Sequence, residues 1–94
     1  MAVVRHVTLT AATVATVTLP ANAGAVEVTM KATTPGETYL TTDGTTPTVA
    51  GNDTTFLAGV AGASVTLTDE GGSPTQTVVK AISSGTPSLA VRAL

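Results

Sequence analysis

Val26-Glu27-Val28-Thr29-Met30-Lys31-Ala32 puts Val26, Val28, Met30 and Ala32 on one side of an extended chain and Glu27, Thr29 and Lys31 on the other. Strict alternation of apolar and polar residues marks a strand with one face in a core and the other in water. The same period of two recurs in both directions along the chain, and the i, i+3, i+4 spacing of a helix appears in no segment. Upstream, a strand is predicted over 3–10, where Val3, Val7 and Leu9 share a face that Arg5 interrupts, and another over 13–19, which sets Ala15, Val17 and Leu19 together. Downstream, strands are predicted over 38–42, 63–68, 75–82 and 88–94.

The segments between them carry turn chemistry. Pro20-Ala21-Asn22-Ala23-Gly24, Thr33-Thr34-Pro35-Gly36, Asp69-Glu70-Gly71-Gly72-Ser73-Pro74 and Ser83-Ser84-Gly85-Thr86-Pro87 are rich in residues that bend the backbone or cap it locally. Asp43-Gly44 is the strongest short-range signal for a tight turn, because Gly supplies positive φ and Asp tolerates it. Pro47 cannot donate to a ladder, so the segment returning from that turn should be short or lie at an edge. A long polar loop over 45–55 then leads to Phe56-Leu57. Asp43, Gly44, Pro47, Gly71 and Gly72 are thus the expected structural turn positions. About seven short strands spaced by Gly/Pro turns predict one all-β domain over 1–94, a small antiparallel β-sandwich of immunoglobulin-like architecture. A small jelly roll or barrel is the competing closure.

Composition narrows the function more than it names it. Threonine fills 21 of the 94 positions, and there is no Cys or Trp, one each of His, Tyr and Phe, and ten charged residues, for a net charge of −2. Branched at Cβ, threonine suits a pleated, half-buried surface. The large apolar residues are mostly Val and Leu, so the core is thin in volume, and self-association or docking is one remedy. The basic residues Arg5, Lys31, Lys80 and Arg92 are scattered, which gives no patch for nucleic acid. No run approaches the ~20 apolar residues of a membrane-spanning helix. Residues 7–19, preceded by Arg5-His6 and followed by Ala21-Asn22-Ala23, have the outline of a secretory leader, but five Thr among these 13 positions speak against that use.

Catalysis fails on inventory: His6 is the single imidazole, it sits mid-strand, and no nucleophile motif accompanies it. Zinc and cysteine chemistry lack ligands. Asp43, Asp53, Asp69 and Glu70 fall in predicted loops without a calcium-loop spacing, and Asn52-Asp53-Thr54 matches the glycosylation acceptor pattern by three residues only. No cofactor or metal is therefore expected. Tyr39 and Phe56 are the only rings for a sugar platform, and core or interface packing is the job expected of each. Val3, Val4, Phe56 and Leu57 offer apolar groups near segment ends and are the expected contacts between subunits or with a partner.

Tyr39-Leu40-Thr41-Thr42-Asp43-Gly44-Thr45-Thr46-Pro47-Thr48 resembles a strand-and-turn segment of the small immunoglobulin-like modules appended to chitobiase-type glycosidases. His6-Val7-Thr8-Leu9-Thr10, Ala25-Val26-Glu27-Val28, the same Asp-Gly turn, and Thr77-Val78-Val79-Lys80-Ala81-Ile82-Ser83-Ser84-Gly85-Thr86-Pro87 resemble, in order and over nearly the whole chain, small virion proteins of tailed phages, especially those of actinobacterial hosts. That resemblance implies a head decoration or accessory capsid protein and carries no catalytic residues; together with the thin core and low negative charge it leads us to expect a homotrimer bound to the major capsid protein on the outer surface of the capsid. A host-recognition or carbohydrate-binding module of a tail or cell-surface protein is the alternative, and a tail or neck structural protein a third.

Overall fold

The computed structural model describes residues 3–20, 24–32, 36–71, 73 and 75–94. Every regular element among them is a strand: β1 Val4–Thr8, β2 Ala15–Leu19, β3 Ala25–Ala32, β4 Thr38–Thr41, β5 Thr55–Leu57, β6 Ser64–Thr68, β7 Thr77–Ser83 and β8 Ser88–Ala93. They form two four-stranded antiparallel sheets, in the orders β1-β8-β3-β6 and β2-β7-β4-β5. The expected antiparallel sandwich is what the chain builds, with eight strands where about seven were counted.

The strand order has a simple logic. β1 pairs with β8, β2 with β7, β3 with β6 and β4 with β5, which is one long antiparallel hairpin folded about the β4–β5 connection. Rolling that hairpin up adds the β3–β8 and β4–β7 pairings and distributes alternate pairs to alternate sheets. Two interlocked Greek keys of this kind are the connectivity of a jelly roll. Within the sandwich, the winding is thus the competing closure named above rather than the four-plus-three arrangement of immunoglobulin domains.

Alternation decides which residues meet between the sheets. Val28 and Met30 of β3 face Val91 and Leu89 of β8 in register, and Val26 lies between Ala93 of β8 and Leu67 of β6. From the second sheet come Val17, Leu19, Leu40, Leu57, Val79 and Ala81, and Leu9 adds to them from just beyond β1. No aromatic ring belongs to this cluster. A core of aliphatic side chains alone keeps the molecule thin, with extents of 34 × 27 × 18 Å.

Several sequence expectations shift here. The first strand is shorter than 3–10: Leu9 keeps its register with Pro87 and donates its N–H to the Pro87 carbonyl (N···O 2.9 Å), but proline has no N–H to return the bond, and Ala12 beyond it donates to the Ser83 carbonyl (2.8 Å). Arg5 does share the inward register of Val7, opposite Val91, yet stays exposed at the open side of an edge strand. Residues 7–19, the stretch with a leader's outline, supply the end of β1, a turn and β2 to the sandwich. Phe56-Leu57 is not a loop but the body of β5, and Leu57 is 2% exposed in the core, so it is no interface residue. Its short strand lacked the flanking alternation that would have shown it. Pro47 is fully buried within the β4–β5 connection, and the segment that returns from it, β5, is short and forms the edge of its sheet, as its missing N–H led us to expect. Gly72 lies outside the described residues, as do residues 21–23 and 33–35 of two expected turns.

Asp43-Gly44 does not close a two-residue hairpin, since β4 ends at Thr41 and β5 starts at Thr55. It turns the chain by another device. The Asp43 carboxylate accepts from the Thr45 N–H (3.0 Å) and hydroxyl (2.6 Å), Thr41 donates to the Thr45 carbonyl (2.7 Å), and Gly44 takes φ +89°. Gly71 uses the same arrangement, its N–H donating to the Asp69 carboxylate (3.0 Å). A Cβ on Gly44 would meet nothing within 4 Å, so only the backbone opposes a side chain there. Gly44→Val should therefore lower unfolding stability by about 1–2 kcal/mol through left-handed strain alone. Unchanged urea midpoints for wild type and variant would show that the turn tolerates a branched residue.

Candidate functional site

The rolled hairpin sends its connections to two ends. Those between β1 and β2, β3 and β4, β5 and β6, and β7 and β8 gather at one end, and the remaining connections share the other with the chain termini. Each end carries a concavity, and the two differ in chemistry.

At the first end an open groove of about 940 Å³ runs between the four connections. Its floor is made by close backbone approach. A Cβ at Gly36 would collide with the Ser83 hydroxyl and come within 3.1 Å of the Pro87 ring, and one at Gly59 would lie 3.2 Å from backbone atoms of Gly36 and Glu37. Glycine at both positions lets three connections pack main chain to main chain. Phe56 and Val60 stand at the groove's sides, 53% and 62% exposed, the most exposed large apolar residues apart from Leu94 among the described residues.

Phe56 is where it is because β5 pairs with β4. Tyr39 and Phe56 are register partners on the outward face of that sheet, with ring centroids 5.8 Å apart and planes inclined at 56°. Ile82 pairs with Tyr39 from the other side and is buried although it points away from the core. Both rings thus sit outside the sandwich, and their inclination makes a corner rather than the flat platform a sugar ring stacks on. The Tyr39 hydroxyl donates to Glu37 Oε2 (2.9 Å), and Glu37 is the sole ionisable residue lining the groove among the described residues. That hydrogen bond, followed by slight desolvation and the Glu37 charge, raises the tyrosine pKa above its ordinary value. No motif in the sequence singles out Glu37, although residues 37 and 39 share a face of an extended chain and that spacing brings the two side chains together.

The opposite end is acidic. Asp43, Asp53 and Glu70 line a polar recess of about 490 Å³ with Thr41, Thr45 and Thr54. Asp69 lies in the same connection as Glu70 and accepts from the Thr77 hydroxyl (2.8 Å). Lys80 crosses to the Gly44 carbonyl (3.2 Å). No set of three or more metal-ligating side chains converges among the described residues. Hydrogen bonds from Thr45, side chain first and backbone second, hold the Asp43 pKa below its ordinary value.

The expected contact residues do not form one surface. Val3 packs partly against the core and Val4 is exposed at the acidic end, close to Leu94, whereas Phe56 belongs to the groove end. His6 lies on the exposed outer face of edge strand β1, opposite Ala90, and its side chain makes no hydrogen bond or ion pair among the described residues. Asn52 is exposed in the β4–β5 connection, next to Asp53 at φ +61°. Compared with family models, with curated proteins and with solved structures, the chain matches none.

Two titrations check this geometry. Tyr39 is the only tyrosine and there is no tryptophan, so alkaline absorbance reports one phenol. Its midpoint should lie above the ordinary value of about 10, and Glu37→Gln should lower it. Because the folded pKa is raised, the contact stabilises the fold below that ordinary pKa and is lost as pH climbs through the folded one. Asp43 runs the other way. Its depressed pKa stabilises the fold above about pH 4 and is lost as pH falls, so the stability gap between wild type and Asp43→Asn, measured by urea unfolding, should shrink from pH 7 to pH 3.

Proposed function

We propose that this protein is a structural subunit of a virion, a decoration protein that binds the outside of a phage head and stabilises the shell. The observation that carries this reading is the unlike character of the two ends: exposed Phe56 and Val60 flank a groove with one charge, while four acidic residues crowd the other end. Apolar, weakly charged surface suits a docking face, and acidic loops suit an end left in water and kept from neighbouring particles. The ordered resemblance to small phage virion proteins points the same way, and jelly rolls recur in viral shells, although that is analogy at the level of fold.

In this arrangement the groove end faces the major capsid protein. Val4 and Leu94, 37% and 53% exposed at the other end, are left for contacts between copies in a trimer. An aliphatic core without rings gains from such docking, and many repeated small contacts sum by multivalency. Binding only the assembled shell stabilises it by linkage. The second reading, a sugar-binding module of a tail or cell-surface protein, is favoured by one feature: the Phe56 ring stands beside groove hydroxyls of Ser84 and Thr86.

Mass spectrometry of purified virions, with density in a capsid map, should find the protein on the head in many copies. Particles lacking it should assemble but release their genome at lower temperature. Finding it only at the tail tip in a few copies would remove the decoration reading and promote the sugar-binding one.

A further inference from the structure

We infer that the groove between the four connections receives a cationic side chain, a guanidinium or ammonium group, projecting from the surface of a protein partner. The inference rests on the groove end being the docking end and adds what that end recognises.

Three features converge on one spot. Glu37 brings a carboxylate whose Oε2 is held by the Tyr39 hydroxyl at 2.9 Å, while Oε1 has no hydrogen-bond partner among the described residues. Phe56 and Tyr39 meet at a corner, 5.8 Å and 56° apart, so aromatic surface and carboxylate are presented side by side. The remaining lining is small or apolar, with Gly36, Gly59, Gly85, Ala58 and Val60, and leaves room for an aliphatic stem. A cation above a ring is attracted by the ring's negative face, and a fixed carboxylate beside it supplies the ion pair. Arginine fits best, because its planar group stacks on a ring while donating to an oxygen in its own plane. Lys31, at the far end of β3, is exposed at this end but does not line the groove. Charge therefore selects the occupant: a neutral or acidic side chain would leave Glu37 unpaired against a closing surface.

The test uses the whole chain, isotopically labelled, titrated with an acetylated and amidated glycine-arginine-glycine tripeptide while backbone amide shifts are followed. Saturating shifts at Gly36, Glu37, Phe56, Gly59 and Gly85 are expected, weaker at high salt. A tripeptide with norleucine in place of arginine should shift them little. Glu37→Gln should weaken binding about fivefold and Phe56→Ala about threefold. Both residues are exposed, and each variant's spectrum reports its own folding. Absence of groove shifts, equal shifts with norleucine, shifts confined to the acidic end, or groove shifts with chitotriose but not with arginine would each overturn the inference. Its failure and that of the decoration reading are separable. Arginine binding by a protein that virions lack would leave the groove assignment standing, and a silent groove in a protein found on heads would leave the decoration reading standing.

Discussion

Everything in this molecule waits on the last two strands. β7 lies between β2 and β4, and β8 lies between β1 and β3, so residues 77–93 hold an inner place in both sheets. Until they arrive, β1 and β2 have no ladder partner among the described strands, and β3 and β4 are each unpaired along one edge. Val79, Leu89 and Val91 are each at most 1% exposed and bridge the two halves of the hairpin. The cost is entropic: pairing β1 with β8 closes nearly the whole chain before it rewards itself, the high-contact-order situation in which β-sandwiches form slowly. One consequence is that the sandwich has no independent half.

The second constraint is the absence of rings from the core. Aliphatic side chains fill the space between the sheets, and buried hydroxyls fill the corners: Thr42 donates to the Thr68 carbonyl (2.6 Å), Thr77 to Asp69, and Ser83 accepts from Gly85 (3.1 Å). Only Thr38 keeps a buried hydroxyl with no partner among the described residues. These contacts tie the β4–β5, β6–β7 and β7–β8 connections to the sheets and hold both ends in shape. Surface ion pairing contributes little by comparison. Arg92 and Glu27 meet across β8 and β3 at 3.0 Å, but both are well exposed, and such pairs are worth a fraction of a kcal/mol.

Because the connections alternate between ends, the molecule has two chemically unlike poles. Nothing local requires this. Glu37, Phe56 and Gly85 are far apart in the chain, and they share a groove because the hairpin rolls so that alternate connections share an end. Asp43, Asp53 and Glu70 are gathered at the other end by the same rule.

The strands other than β5 were legible from residue pattern alone, because a period of two is a local property that each segment states for itself. Val26, Val28, Met30, Val17 and Leu19 could be assigned to shared faces without knowing any partner. So could the bend at Asp43-Gly44, whose carboxylate bonds two residues away. Leu57 was misplaced, and the burial of Pro47 could not be read, because nothing in their immediate neighbourhood tells that the long β4–β5 connection folds back over the core. Strand order, the groove, and the separation of Val4 from Phe56 were likewise settled only in three dimensions. Pairing depends on which of several similar Val/Thr strands meet, and Thr-rich strands of matching pattern are interchangeable until connection lengths, twist and core volume leave one closure.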